Sequence, residues 1–122
     1  DADGEPVPDG ETVTVRSQKG KYLGAGFYNS HSTLRIRVFS KNANDRFTEE
    51  FWIRRVKYAL EYRRSVMGAD FGSCRLIFGD ADAFPGLVID RFGDLLVSQV
   101  GCLGIDRIKN VIYTAVVRTL RE

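Results

Sequence analysis

The sequence is poor in the residues from which metal sites and disulfides are built. It holds two cysteines, Cys74 and Cys102, and one histidine, His31, in 122 residues. The cysteines do not form a C-x-x-C pair and the histidine has no partner at ligand spacing, so we expect no metal site. Free thiols are typical of a reducing compartment, and we therefore expect a cytoplasmic protein.

Long apolar runs and phosphate-binding motifs are missing as well. No stretch of about 18 apolar residues is present, and the first residues are acidic, without a signal-peptide pattern. Gly20, Gly24 and Gly26 do not join a hydrophobic strand to a helix, as a dinucleotide-binding fingerprint requires. The sequence therefore predicts neither a membrane protein nor a nucleotide-binding fold.

The net charge of +2 conceals a strong segregation along the chain. Residues 1–14 carry a charge of −5, residues 15–67 carry +8, and residues 68–122 carry −1. A polyanion is bound by a local patch, so the charge of a segment matters more than the total. Segment 15–67 is therefore the part in which we look for a nucleic-acid interface.

Alternating apolar and polar residues predict strands in this basic segment. Residues 12–16 and 34–39 alternate with a period of two, and residues 22–23 resume a strand after a turn at 17–21. Glycines near residue 25 permit a bend or bulge. Three strands with such bends indicate part of a small barrel.

The alternation at 34–39 also predicts which side chains face outward. Leu34, Ile36 and Val38 are expected to face the interior. Arg35 and Arg37 are then expected to face solvent, where they are free to meet a phosphate chain.

The rest of the chain predicts two helices around a group of strands. Thr48 and Gly68 are suited to begin and end a helix over 48–67 with one apolar stripe: Trp52, Val56, Ala59, Leu60 and Met67. Residues 74–100 predict strands, including a hairpin around 92–94, and 105–122 predicts a second helix without a stop signal, which we interpret as a cut end. The predicted class is α+β.

The basic strands are the first candidate site. Six cations and no acid lie between residues 12 and 44, with Tyr22, Phe27 and Tyr28 interleaved. Cations for phosphates and aromatic faces for bases are the combination that looped or single-stranded RNA requires. The alternative is a solvated basic exterior with some of the aromatics in the core.

An acidic loop is the second candidate. Asp80 and Asp82, with Asp90 following, could bind Mg²⁺ or act in acid–base chemistry, as in a small metal hydrolase. The loop is rich in Gly and Pro, however, and aspartate in such a turn commonly caps its own backbone. We favour the turn-capping interpretation.

Two stretches of the chain resemble one enzyme family. Residues 20–38, GKYLGAGFYNSHSTLRIRV, resemble the second part of the N-terminal PUA domain of S-adenosylmethionine-dependent ribosomal RNA large-subunit cytosine-C5 methyltransferases. Residues 75–99, RLIFGDADAFPGLVIDRFGDLLVSQ, resemble the central domain of the same family. The family usually has Glu at Asp80, Gly at Ala83, Leu at Phe84 and often Pro at Ser30, so this chain departs from it at those positions.

The resemblance implies a partial PUA-like RNA-binding domain at 1–44 and a central domain at 45–122, truncated at its C-terminal end. The opening PUA strands and the catalytic domain, with its nucleophilic cysteine, are absent, so we expect no catalytic residue and no cofactor here. The parent protein is expected to use S-adenosylmethionine. Its implied partners are ribosomal RNA and the missing C-terminal methyltransferase domain.

Roles for individual residues follow from these expectations. The expected RNA contacts are Arg16, Lys19, Lys21, Tyr28, Asn29, Arg35 and Arg37. The residues expected to order loops or meet the catalytic domain are Asp80, Asp82, Asp90, Arg91 and Gln99. The alternative function is a free-standing RNA- or protein-interaction module without catalytic activity.

Overall fold

The computed structural model describes residues 7–122 as two small antiparallel sheets and two α-helices. The strands are β1 (Thr12–Arg16), β2 (Tyr22–Tyr28), β3 (Ile36–Ser40), β4 (Ser73–Phe78), β5 (Leu87–Phe92) and β6 (Leu95–Val100). The helices are α1 (Glu49–Met67) and α2 (Leu103–Leu120), with 3₁₀ turns at Gly68–Gly72 and Gly79–Asp82. The sheet orders are β1-β2-β3 and β4-β5-β6. The mixed class is confirmed, but the first sheet does not close into a barrel within residues 7–122.

Glycine on β2 determines how closely the strands of the first sheet approach. The pairing of β2 with β3 shifts register between Ala25 and Gly26, so the predicted irregularity is present. A Cβ atom on Gly26 would lie 2.6 Å from the carbonyl oxygen of Arg37. Because such an approach is closer than a methyl group tolerates, only glycine fits here.

The predicted facing of β3 is wrong. Ile36 and Val38 are exposed, whereas Phe39 is buried and Arg37 is half-buried. Phe39 packs its ring against Phe27 of β2, and these two aromatic side chains bury more apolar area than the aliphatic ones would. They fix the phase of the strand and turn Arg37 toward the interior side.

Helix α1 begins and ends where the sequence predicts. The Thr48 hydroxyl accepts a hydrogen bond from the Phe51 backbone N–H at 3.4 Å, which caps the first turn. Gly68 has a φ of 54° and its N–H donates to the Arg64 carbonyl, which closes the last turn. The expected apolar stripe is buried at Trp52, Val56, Ala59 and Leu60 and half-buried at Met67.

The second sheet lies beside both helices. The hairpin of β5 and β6 turns at Gly93, whose φ is 62°, and pairs Phe92 with Leu95, as the sequence predicts. Leu87 and Ile89 of β5 are buried on its inner face. Neither helix in the described part of the chain is long and apolar enough to cross a membrane.

One continuous core joins the two sheets. Aromatic side chains fill its end at the first sheet: Phe27, Phe39, Phe47, Phe51, Trp52 and Phe84. Aliphatic side chains fill its end at the second sheet: Leu60, Leu76, Ile77, Leu87, Ile89, Ile105, Ile112 and Val116. The segments before and after residue 44 therefore share one core.

Arg55 of α1 adds a polar connection at the same junction. Its Nη1 donates to the Phe39 carbonyl at 2.6 Å and to the Ala83 carbonyl at 3.1 Å. Its guanidinium carbon lies 4.6 Å from the centroid of the Phe51 ring. Burial lowers the pKa of Arg55, but the guanidinium remains charged at neutral pH. The helix thus holds the end of β3 to the turn before β5.

Candidate nucleic-acid interface

The turn between β1 and β2 carries the first group of expected RNA contacts. Arg16, Lys19 and Lys21 are all exposed around this turn, which we call the basic turn. Gly20, with a φ of 84°, donates its N–H to the Ser17 carbonyl and shapes the turn. Arg16 donates to the Gly20 carbonyl at 3.3 Å and approaches the ring of Tyr22. Three cations are thereby presented on one short loop.

The turn between β2 and β3 carries the second group. Tyr28 and Asn29 are half-buried there, and Arg35 is exposed. The Asn29 N–H donates to the Arg35 carbonyl at 2.7 Å, and the Asn29 side-chain oxygen accepts from the His31 N–H at 3.0 Å. The Asn29 amide group therefore shapes the turn, while the Arg35 side chain is accessible to a ligand.

These two groups lie at opposite ends of β2. Six residue steps separate Tyr22 from Tyr28, which corresponds to roughly 20 Å of extended strand. The seven expected contacts therefore do not form one cluster. A ligand that touches both groups has to run along the sheet.

Arg37 does not stand free as expected. Its Nη2 donates to Asp80 Oδ2 at 3.2 Å, and 27% of its side chain is exposed. The pair joins β3 to the 3₁₀ turn that precedes β5. Arg37 is therefore a less accessible contact for phosphate than Arg35.

Within the described residues, the acids of the N-terminal segment 1–14 do not neutralise the basic side chains of the first sheet. Asp9 accepts from the Ser30 N–H at 2.8 Å and lies 3.4 Å from His31, and the Ser30 N–H holds the Asp9 pKa below its usual value. Glu11 pairs with Arg107 of α2 at 3.4 Å. The other acids of segment 1–14, namely Asp1, Asp3 and Glu5, lie outside the described residues.

The acidic loop is ordered by its own hydrogen bonds. Asp82 Oδ2 accepts from the Phe78 N–H at 2.7 Å and from Arg63 Nη2 at 3.3 Å, with 10% of its side chain exposed. Ala83 follows in the left-handed region with a φ of 61°. These contacts fit the turn-capping interpretation of Asp82.

The remaining expected residues of the second sheet have different surroundings. Asp90 accepts two hydrogen bonds from Arg75, at 2.7 and 3.2 Å, and these hold the pKa of Asp90 below its usual value. Arg91 donates to the Gly93 carbonyl and lies over the ring of Phe71. Gln99 is exposed on β6.

A groove beside α1 is a surface that the sequence did not single out. It encloses about 790 Å³ between α1, Phe78 and the turn at 81–83. Tyr58 and Tyr62 of α1 line it and are 79% and 56% exposed. Two tyrosines four residues apart, outside the predicted apolar stripe of α1, were the signal available in the sequence.

Comparison with known families gives a match at the start of the chain. Residues 1–41 match a family model described as a PUA-like domain. This range includes the basic turn and the β2–β3 turn. The cationic first sheet thus coincides with the PUA-like region.

Curated relatives match nearly the whole chain. Ribosomal RNA large subunit methyltransferase I of Aeromonas hydrophila is 36% identical over 118 residues, covering 96% of this chain and 29% of the relative. The protein of the same name from Pseudoalteromonas translucida is 36% identical over 107 residues, covering 87% and 27%. The chain therefore spans less than a third of the length of the methyltransferases it matches.

Solved structures share the fold. A protein from Streptococcus mutans, described as a SAM-dependent methyltransferase, matches with a TM-score of 0.80 at 18% identity, covering 96% of this chain and 31% of its own. A methyltransferase structure in complex with SAH matches with a TM-score of 0.81 at 18% identity, covering 99% and 32%. The arrangement of two sheets and two helices thus recurs as a segment of larger proteins.

Proposed function

We propose that this chain is the RNA-holding part of an S-adenosylmethionine-dependent ribosomal RNA methyltransferase. The observation that carries the proposal is the basic turn, which places Arg16, Lys19 and Lys21 together in the PUA-like region. Cationic contacts of this kind hold RNA without regard to sequence. The curated relatives supply the enzyme class.

The reaction proposed for the parent protein is methyl transfer from S-adenosylmethionine to C5 of a cytosine in ribosomal RNA, in the cytoplasm. This chain contributes no catalytic group, and the cofactor binds to the catalytic domain. Chemistry on a base requires that the nucleotide be unstacked and held. Binding by a separate segment leaves the catalytic groups free for the reaction.

Residues 1–44 are proposed to belong to a PUA-like barrel and residues 45–122 to a central domain. The side of the first sheet that faces away from α1 carries Val13, Val15, Ile36 and Val38, of which the last two are 40% and 42% exposed. Further strands of the parent protein would cover this apolar face and complete the barrel. Pairing with such strands would also satisfy the backbone N–H and C=O groups at the open edges of the sheet.

The outer face of the second sheet is proposed to meet the catalytic domain. Gln99 lies opposite Val88 there, and Val97 lies opposite Asp90. Phe92 and Leu95 at the hairpin end are 56% and 61% exposed. A mixed polar and apolar face of this kind suits an interface between domains.

RNA binding is tested by fluorescence anisotropy with a labelled 12-nucleotide single-stranded RNA across a salt series. The combined variant Arg16→Ala, Lys19→Ala and Lys21→Ala removes three phosphate contacts. For single strands each contact contributes about −0.7 to the slope of log K against log salt, so we expect the slope to become shallower by about 2.

The matched control removes three cations from α2 and its C-terminal cap, namely Lys109→Ala, Arg118→Ala and Arg121→Ala. The control changes net charge equally but leaves the first sheet intact, so its slope should stay near that of the parent sequence. Equal losses in both variants would show that binding depends on total charge. No binding by the parent sequence would leave the alternative of a protein-interaction module.

A further inference from the structure

We propose that the groove beside α1 is a second binding surface for single-stranded RNA, on which unstacked bases lie against Tyr58 and Tyr62. This inference rests on the proposed function, because it extends the path of the same ligand. The groove is separate from the basic turn and from the β2–β3 turn. It is built by α1, Phe78 and the turn at 81–83.

The aromatic side chains of the groove are unusually open to solvent. Tyr58 is 79% exposed and Tyr62 is 56% exposed, although a tyrosine ring is costly to leave in water. Phe78, on the facing strand, is 52% exposed. Bases stack on such rings regardless of sequence. The Arg63 guanidinium lies 5.8 Å from the centroid of the Tyr62 ring and the Arg75 guanidinium lies 5.2 Å from that of the Phe78 ring, so on these two rings a base would use the face turned away from the arginine.

The spacing on the helix suits adjacent nucleotides. Tyr58 and Tyr62 are four residues apart on α1, so both project on one side and are separated by about 6 Å along the axis. Arg54 lies one further turn toward the start of the helix and is exposed. The row Arg54, Tyr58 and Tyr62 therefore places one cation beside two base-sized faces along one side of the helix.

The charges around the groove favour an anionic ligand. Three arginines line it, at positions 54, 55 and 63, against two carboxylates. Asp45 accepts from the Ser40 hydroxyl at 2.6 Å, and Asp82 accepts from Phe78 and Arg63. Arg63 is thus paired with Asp82, and Arg55 donates to two backbone carbonyls, which leaves Arg54 as the cation of the groove that is open to a ligand. Arg54 has no hydrogen-bond or ion-pair partner within residues 7–122 and is available for a phosphate.

The groove is also continuous with the first sheet. The 3₁₀ turn Gly79–Asp82, whose residues Ala81 and Asp82 line the groove, also carries Asp80, which accepts from Arg37 of β3 at 3.2 Å. The groove therefore adjoins the first sheet at Arg37. This continuity, together with the positive lining, favours RNA over a protein segment as the occupant.

The test compares tyrosine variants of the 122-residue chain by anisotropy with the same 12-nucleotide RNA. Tyr58→Leu combined with Tyr62→Leu removes both stacking faces, and we expect the affinity to fall about tenfold or more at every salt concentration, with no change in salt slope. Tyr58→Phe combined with Tyr62→Phe retains the rings and should retain the affinity. Because both tyrosines are exposed, thermal unfolding of either variant should match the parent sequence.

The charge of the groove is tested on the same helix. Arg54→Ala should make the salt slope shallower by about 0.7. Lys57→Ala removes a cation from the crevice between α1 and α2, and it should leave the slope unchanged.

The outcomes separate this inference from the proposed function. If the basic-turn variant weakens RNA binding but both leucine substitutions and Arg54→Ala leave it unchanged, the groove inference is wrong and the proposed function stands. If the parent sequence binds no RNA, both fail. If the leucine variant binds RNA normally but loses association with a separately produced catalytic domain, the groove is a protein interface.

Discussion

The two sheets of this chain have the same number of strands but contribute to the core to different extents. The second sheet lies beside both helices and buries Leu76, Ile77, Leu87 and Ile89. The first sheet enters the shared core through Phe27 and Phe39, and its other face, with Ile36 and Val38, is open. Its cations are at its ends. One sheet thus anchors the fold, while the other is held by a few aromatic contacts and presents charge.

This difference means that stability and binding depend on separate parts of the chain. Substitutions at the junction should loosen the first sheet without touching the basic turn. Substitutions in the basic turn should change binding without changing stability.

Removing an aromatic ring from the junction should have the largest effect. Phe39 is buried, and its ring centroid lies 4.5 Å from that of Phe27 and 5.0 Å from that of Trp52. Phe39→Ala should lower the free energy of unfolding by about 3–5 kcal/mol, because it leaves a cavity between the first sheet and α1. Denaturant unfolding measures this loss. Phe92→Ala, at an exposed ring of the second sheet, should change the free energy of unfolding by less than about 0.5 kcal/mol.

A substitution at the contact between α2 and the first sheet should lower the stability of the chain nearly as much. A Cβ atom on Gly104 would overlap the ring of buried Phe27. Gly104→Ala should therefore destabilise the chain by about 1–3 kcal/mol, despite the higher helix propensity of alanine. Gly72→Ala, where an added Cβ meets nothing within 4 Å, serves as the control in thermal unfolding. Equal effects at the two positions would mean that the ring and the helix do not touch.

A substitution in the turn before β5 should raise the stability of the chain. Ala83 adopts a φ of 61°, a conformation that costs an ordinary residue about 1–2 kcal/mol. Ala83→Gly should raise stability by about 0.5–1 kcal/mol after the added flexibility of the unfolded chain is counted. Ala81→Gly lies in the same turn without a positive φ and should lower stability. A loss of stability at both positions would contradict the backbone geometry of Ala83.

The ion pair of Arg75 with Asp90, on the outer face of the second sheet, should contribute least to stability. The Arg75 guanidinium lowers the folded-state pKa of Asp90, so the pair stabilises the fold above the unfolded carboxyl pKa near 4 and loses this effect as pH falls through the lower, folded value. Asp90→Asn should cost about 0.5 kcal/mol at pH 7 and progressively less as the pH falls below 4. Chemical denaturation across this pH range measures this. Asp94→Asn removes a carboxylate from the exposed hairpin turn, where it has no ion-pair partner within residues 7–122, and serves as the control at pH 7.

Local signals were sufficient to predict much of the fold. Thr48 and Gly68 fix the ends of α1, and the short loop at Gly93 fixes the hairpin, because each acts through neighbouring backbone groups. The phase of β3 was not predictable in the same way. Its sequence has apolar residues on both faces, and Phe39 decides between them only through contacts with β2 and α1.

The candidate site likewise has a part that the sequence predicted and a part that it did not. The basic turn is contiguous in sequence, so its charge could be read directly from Arg16, Lys19 and Lys21. The pairing of Arg37 with Asp80 spans 43 residues and depends on how β3 meets the later turn. The groove depends on the same tertiary arrangement. Contacts between distant segments therefore account for what the sequence did not predict.

The most direct test of the account is the salt dependence of RNA binding by the 122-residue chain. The account predicts that log K falls linearly with log salt, with a slope of about −2 or steeper for at least three phosphate contacts on a single strand. An affinity that is independent of salt, or no binding at low salt, would contradict the claim that the first sheet holds RNA through its exposed cations.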